Sequence, residues 1–407
     1  MSSLQPALPY KYPRVFWIMC LGAMSFFLSF NIILPELAQE LRSKGGAAYV
    51  GWIIPAFSFS ALIARPFSGW ITDNLGRRWA MIGGCLFCII AGCFYPMVTT
   101  AMGFLIVRAI HGFSTGFTPT GFTAFTADVV AESHRGRAMG WQGMFNNLGT
   151  TIGYALGAVI ALHFGVDILY YTSAALASLA WLLFMSLPET RTKSNRKEFV
   201  FNIRNLFYFP AWRPSFIMFL VCISLGSILT VMADFTLEMG YTNKGLFLSI
   251  YIGVSLLFRL ISGRVSDALG RAWSTAIGTA AQVLSMSILV YMSIRLNHLH
   301  QTDCAACELP GLIWFASSAI LYGIGQGFNA PSLFAWASDT ADNHHRGRAL
   351  AMLFMFLELG IIVGGLTANY FIKGMSWNYV GIFGLSGSAF LIALGFSLYC
   401  LRYQHQK

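Results

Sequence analysis

Twelve stretches of this chain are long, nearly unbroken apolar runs, and that pattern leaves few folds available. A helix that crosses a bilayer needs about 20 mostly apolar residues, because every backbone N–H and C=O must find a partner without water. The runs fall at 15–37, 49–71, 80–98, 102–125, 138–164, 169–187, 215–235, 246–265, 273–294, 311–335, 349–371 and 379–401. Together they take up most of the 407 residues and leave no room for a separate soluble domain. Charged residues make up only 10% of the chain, against about a quarter in an ordinary soluble domain. The expected class is an all-α membrane protein embedded in a lipid bilayer. No small-residue cleavage site follows the first run, so it reads as a retained helix and not a signal peptide.

A net charge of +10 can signal nucleic-acid binding, but its placement here argues otherwise. With both termini in the cytoplasm, only Arg42, Lys44, Lys244, Arg295 and Lys373 fall in segments on the opposite side. Apart from Arg65, Arg108 and Arg259, which lie inside the apolar runs, the remaining Lys and Arg are cytoplasmic. This is the positive-inside asymmetry, and it accounts for the basic balance without a nucleic acid.

The chain also repeats itself. A shift of 194 residues places Arg65, Gly69, Asp73, Gly76 and Arg77 on Arg259, Gly263, Asp267, Gly270 and Arg271. A shift of 211 places Asp128, Arg135, Gly136 and Arg137 on Asp339, Arg346, Gly347 and Arg348. Two six-helix halves, 1–188 and 214–407, are therefore expected, joined by a basic cytoplasmic linker over 189–213. Internal repeats of this kind mark secondary transporters, which bind substrate between halves near the midplane.

The stretch Gly69-x-x-x-Asp73-x-x-Gly76-Arg77-Arg78, with its copy at Gly263-x-x-x-Asp267-x-x-Gly270-Arg271, resembles the signature loop of the major facilitator superfamily. The resemblance covers the whole twelve-span chain. Asn74 departs from it, standing where the family commonly has a basic residue. Physically, Gly69 is expected to permit close helix approach and Gly76 a sharp turn. Asp73 is expected to accept from helix N-terminal amides, and Arg77 to bond a carboxylate such as Asp128. What the resemblance implies is the major facilitator fold, two pseudo-symmetric bundles, with this loop as a conformational latch that favours the outward-open state. In that latch Asp73 faces the start of the eleventh helix. The residues alone also admit a plainer reading, ordinary loop charges that set topology.

Charges embedded in the runs are the candidate machinery, since a charge at a helix centre costs at least roughly 2.5–3.5 kcal/mol on insertion scales. Glu358 lies ten residues beyond Arg348, about 15 Å into the bilayer. It is the expected proton-titrating carboxylate, because burial disfavours its charged form. The competing role is a structural carboxylate bonded to Asn or Ser. Its repeat counterpart is Asn147, and each precedes a glycine by two residues. Arg108 and His111 lie in a run that resembles the family's arginine motif, which implies a part in proton coupling. Arg108 has Ala319 as its counterpart, so one half alone carries this charge. Arg108 otherwise snorkels to the interface, and His111 is otherwise a satisfied core residue. Arg65 and Arg259, six residues from the ends of their runs, are expected to brace the loops.

The fifth run carries Gly140, Gly149, Gly153 and Gly157, which resemble the glycine motif of antiporters; Tyr154 and Ala158 stand where that motif has proline and glycine. An amphipathic cavity is expected from Asn31, Gln142, Asn146, Asn147, Tyr322, Gln326 and Asn329. The expected function is proton-coupled efflux of a small amphipathic drug or metabolite through the bacterial inner membrane. An uptake symporter, for example for an anion bound by Arg108, is the alternative. An intramembrane enzyme is disfavoured because no nucleophile has an adjacent base, and a transport-dead sensor because it would not need Glu358 to titrate. No phosphate-binding loop or cofactor motif is present, and one chain holds both halves of a transport unit, which suits a monomer. His298, His300, Cys304 and Cys307 have metal-ligand types, but a disulfide or free thiols fit the same spacing, and no metal is assigned. Cys85, Cys88 and Cys93 read as small buried hydrophobes.

Overall fold

The computed structural model describes residues 11–131, 134–190, 208–302, 311–341, 346–374 and 379–404. Twelve long helices run through them. They are α1 (Arg14–Ile32), α2 (Ile53–Asn74), α3 (Arg77–Phe94), α4 (Ala101–Val129), α5 (Arg135–Phe164) and α6 (Val166–Met185), then α7 (Trp212–Glu238), α8 (Leu246–Leu269), α9 (Arg271–Thr302), α10 (Leu312–Asp339), α11 (Arg346–Gly374) and α12 (Tyr379–Gln404). With an even number of crossings, the described chain begins and ends on one side, called here the terminal side, opposite a far side. Most of the linker (191–207) and the side chains of His300, Cys304 and Cys307 lie outside the described residues, so the cysteine loop is not placed.

The turns follow from the glycines. Gly76, between α2 and α3, has φ +133°, and its repeat copy Gly270, between α8 and α9, has φ +92°, both in a region side chains rarely adopt. The α5–α6 connection is Gly165 alone, at φ +87°. After α1 the chain does not run straight into α2. A 3₁₀ turn at Leu34–Glu36, with Pro35 in its first turn, leads to a short helix at Leu37–Ser43 on the far side.

The sequence repeat is also a packing repeat. In the first half α1 packs on α5 and α6, α2 and α3 pack on α4, and α3 packs on α6. In the second half α7 packs on α11 and α12, α8 and α9 on α10, and α9 on α12. Ten of the helices are long and apolar enough to cross a membrane on composition alone. The other two are the equivalent pair α4 and α10. Each packs against two neighbours, so its Gly, Ser, Thr and Asn residues face protein and the segment tolerates its polarity.

Where α5 crosses α1 and α11 crosses α7, glycines bring backbones together. A Cβ at Gly157 would fall 2.0 Å from the Ile32 carbonyl oxygen, and one at Gly364 1.9 Å from that of Ile223. At Gly140, by contrast, a Cβ meets nothing within 4 Å. Gly157→Leu should therefore lower the thermal unfolding temperature of the detergent-purified protein, at an overpacking cost of about 1–3 kcal/mol. Gly140→Ala should leave it unchanged or slightly higher. Equal loss in both variants would show that the crossing is not what the glycine stripe serves.

Candidate functional site

The halves meet along two symmetric seams, α2 against α11 and α5 against α8. In the first, Arg65 Nη2 donates to Glu358 Oε1 at 2.7 Å, and the Arg65 guanidinium lies 4.5 Å from the centre of the Phe354 ring. Phe354 and Glu358 are four residues apart on α11, so one helix face supplies both contacts. The two side chains are 19% and 8% exposed. Each charge thus offsets most of the other's cost inside the membrane, and removing one partner would strand the other at about 3–5 kcal/mol.

This corrects the expectation that Arg65 and Arg259 brace the loops. Helices α2 and α8 extend to Asn74 and Leu269, three and four residues past their apolar runs, so both arginines sit near mid-helix. Arg65 pairs across the seam. Its copy Arg259 has no carboxylate partner among the described residues, and its buried Nε makes no hydrogen bond.

The far side of the seam is shut. Arg42 makes a two-pronged ion pair with Asp234, Nη1–Oδ1 at 2.6 Å and Nη2–Oδ2 at 2.7 Å, and Lys244 donates to Glu36. Lys244 Nζ also donates to Gln39 at 2.5 Å. Between these polar contacts, Leu37, Val50, Ile53 and Ile54 of the first half meet Leu229, Thr230 and Ala233 of the second. Two glycines related by the shift of 194 allow the approach. A Cβ at Gly51 would fall 1.9 Å from that of Asn369, and one at Gly245 1.9 Å from the Tyr154 carbonyl oxygen. Sequence reasoning missed this closure. The available signal was that the segments before α2 and α8, equivalent in the repeat, carry complementary charges.

On the terminal side the loop residues bond within their own halves. Arg77 Nε donates to Asp128 Oδ2 at 3.0 Å and Nη1 to the Thr72 carbonyl at 2.6 Å. Glu189, which the sequence did not single out, caps α3 by accepting from the Arg77 and Arg78 amides at 2.8 and 3.2 Å. Its carboxylate sits where a Cβ on Gly76 would be, 2.1 Å away. Arg78 Nη1 reaches the Leu187 carbonyl at 3.3 Å. In the copy, Arg271 bonds Asp339 at 2.9 Å and Asp267 at 2.5 Å. Gly69 and Gly263 differ from expectation: a Cβ on either would meet nothing within 4 Å, so no helix approaches them here. The Asp73 side chain lies outside the described residues.

The remaining candidates separate by burial. Arg108 is 2% exposed, 4.1 Å from the centre of the Phe57 ring, and its Nε donates to the Ile53 carbonyl at 3.3 Å, so it packs inward and does not snorkel. Buried His111 contacts Cys88 Sγ at 3.2 Å and the Tyr95 hydroxyl at 3.4 Å. Three of the expected cavity amides tie helices together. Asn31 donates to Thr150 at 3.2 Å, Gln142 accepts from Thr126 at 2.6 Å, and Asn329 donates to Gln282 at 2.6 Å. Asn146 and Asn147 are half-buried and keep unmet polar atoms, Oδ1 and Nδ2 respectively. Gln326 donates to the Tyr322 hydroxyl at 3.4 Å. Among the described residues no cluster of His, Cys, Asp and Glu could hold a metal ion.

The sequence pattern of the Major Facilitator Superfamily matches residues 15–300 and 215–406. Multidrug resistance protein 2 of Bacillus subtilis is 26% identical over 400 residues, covering 94% of each chain. The staphylopine export protein of Staphylococcus aureus is 23% identical over 394 residues, covering 93% of this chain and 94% of that one. Among solved structures, the POT family transporter PepTSo superposes with a TM-score of 0.77 at 14% identity, over 98% of this chain and 100% of that one.

If the Arg42–Asp234 pair holds the far side shut, Asp234→Arg should expose Thr230→Cys, a position now 4% exposed. Its reaction with a membrane-impermeant maleimide added from the far side should quicken roughly five- to thirty-fold, as loss of about 1–2 kcal/mol implies. The charge swap Arg42→Asp/Asp234→Arg should restore the slow rate. An unchanged rate in the single variant would show that apolar packing alone closes the gate.

Proposed function

The chain belongs to the Major Facilitator Superfamily, and on that premise we propose that it is a proton-coupled efflux antiporter moving an amphipathic drug or metabolite by alternating access. As a member of that family it is an integral membrane transporter and not an enzyme. The observation that carries the coupling is the Arg65–Glu358 ion pair, the charged contact between the halves at mid-membrane depth. A proton on Glu358 cancels the charge that holds Arg65 and weakens the α2–α11 seam. Loading or losing that proton therefore shifts the balance between the two arrangements of the halves, which is what a coupled carrier requires.

Efflux is supported by the names of relatives, a multidrug resistance protein and a staphylopine export protein. In this reading the protein works as a monomer in the bacterial cytoplasmic membrane, with both termini inside as the placement of Lys and Arg indicates. The sealed far side is then the outer one, and the state described faces inward. Gly69 and Gly263, in open space here, are the sites where helices close up when the terminal side shuts, with Asp73 and the bonded Arg77 and Asp128 forming the latch. Arg108 and His111, buried inside the first half, take part in the proton coupling in this reading, through the field they set around the pathway. Each charge driven by a 100 mV potential contributes about 2.3 kcal/mol to transport.

Uptake by symport is the second reading, favoured by Arg108 and Arg259, which both lack a carboxylate partner among the described residues. An anion and a proton bind such a seam cooperatively, whereas antiport needs them to compete. The sign of proton movement separates the two. Adding a panel of amphipathic cations, neutral drugs and organic acids to detergent-purified protein should release protons with at least one compound, and Glu358→Gln should abolish the release. Proton uptake on binding would replace antiport by symport. Uptake or release that survives in Glu358→Gln would remove Glu358 from the coupling.

A further inference from the structure

The duplication places an arginine in each seam but a carboxylate in only one. By the repeat, Arg65 matches Arg259 and Glu358 matches Asn147, so the α5–α8 seam carries a guanidinium on one helix and, in place of a carboxylate, an amide on the other. Geometry supports the pairing. The side chains of Tyr154 on α5 and Tyr251 on α8 interact across this seam. From that contact Arg259 lies eight residues toward the terminal side, about 12 Å, and Asn147 seven residues, about 10 Å. Measured instead from the backbone contact of Gly245 with Tyr154, Arg259 is fourteen residues along and Asn147 seven, so the Arg259 backbone lies deeper toward the terminal side, and the long arginine side chain, leaning back toward the start of α8, spans the difference. On α8, Arg259 lies about 40° around the helix from Gly245, whose backbone abuts Tyr154 of α5, so it lies on the side that faces α5.

Both groups have unmet donors. Arg259 Nε and Asn147 Nδ2 are buried and bond nothing among the described residues. Arg65 Nε is unmatched as well, but its guanidinium has Glu358; Arg259 has no carboxylate among the described residues, so the cation and the amide of this seam call for a negative acceptor. Arg108 offers a weaker target although its Nη1 is also unmatched, because its head is sealed under Phe57. Arg259 is half-buried, and no ring among the described residues covers its head as Phe57 covers that of Arg108. Next to it on α8, half-buried Phe258 packs against Phe328 with ring centres 6.0 Å apart, an aromatic surface for an apolar body.

We propose that Arg259 and Asn147 form the docking point for the carboxylate of an amphipathic organic acid, in the place where the first repeat carries an amide instead of the carboxylate of the second. The substrate's acid group then completes the symmetry that Glu358 already provides on the other seam. This rests on the seam being the transport path, and not on the direction of proton movement. Export of such an anion would gain from an interior-negative potential.

The test compares phenylbutyrate, its amide, phenylbutylamine and acetate as ligands of the detergent-purified protein, by isothermal titration at neutral pH. Phenylbutyrate should bind at least roughly tenfold more tightly than its amide, a margin expected of a charge-assisted bond, and acetate should bind far more weakly for lack of an apolar body. Arg259→Gln should erase the preference, and Arg259→Lys should keep part of it. Asn147→Glu should also erase it by supplying the missing carboxylate internally, without lowering the unfolding temperature of the ligand-free protein. That variant keeps the test open should Arg259→Gln fail to fold. Equal response to acid and amide in the unaltered protein, including no response to either, overturns the proposal, as does a preference that survives in both variants. Protons released or taken up are read in the same titration, so proton coupling without acid preference would sink this site alone and leave the transport reading standing.

Discussion

A chain inside lipid has no water to satisfy its backbone, and every other feature of this protein works within that constraint. It forces helices. It also means that helices cannot be held together by burial of apolar surface from water, since lipid tails are as apolar as leucine. Close backbone contact at glycines and bonds between polar side chains must do that work instead. The α1–α5 and α7–α11 crossings use glycines, and Asn31, Gln142 and Asn329 tie neighbouring helices within each half.

The same constraint makes the seam informative. Between halves the packing is broken into separate contacts: an ion pair at mid-depth, two more at the far side, and a pair of glycines between them. Ion pairs at an interface are exchangeable in a way that interlocked apolar cores are not, because each partner can be neutralised by a proton or a ligand. Breaking one of them costs a few kcal/mol, the scale on which two arrangements of a carrier are balanced. Bonds of the signature loop, by contrast, run inside each half, from Arg77 to Asp128 and from Arg271 to Asp339, and so keep each half a rigid body.

The two seams are alike in position and unlike in charge. Arg65 is matched by Glu358, while Arg259, whose seam carries Asn147 in the place of that glutamate, has no carboxylate partner among the described residues. A duplication that keeps the basic residue in both copies and the acidic one in a single copy leaves net positive charge at mid-membrane. Lipid does not neutralise such a charge, so it is balanced by water or by what the protein carries.

Much of this was legible in the sequence. Because hydropathy over a bilayer's thickness is a local property of the chain, twelve apolar runs gave the helices with ends within five residues, except that α9 runs eight residues further, to Thr302. The offsets of 194 and 211 revealed the duplication, and the loop motif located Arg77 and Asp128. Glu358 could be singled out because a carboxylate in an apolar run is expensive wherever it points. Its partner could not, because Arg65 is 293 residues away and pairing depends on how the two halves are docked. The far-side gate was hidden for the same reason: Arg42 reads as a charge in a far-side segment, and nothing local marks Asp234, at the end of its apolar run, as its partner. Gly69 and Gly263 show the converse, since a glycine permits close approach but only the arrangement of the halves decides whether a helix is there. Sequence determined which segments cross the membrane and which residues are too polar to face lipid. Tertiary structure alone decided which of those residues satisfy one another, because that depends on distances between helices that no local pattern encodes.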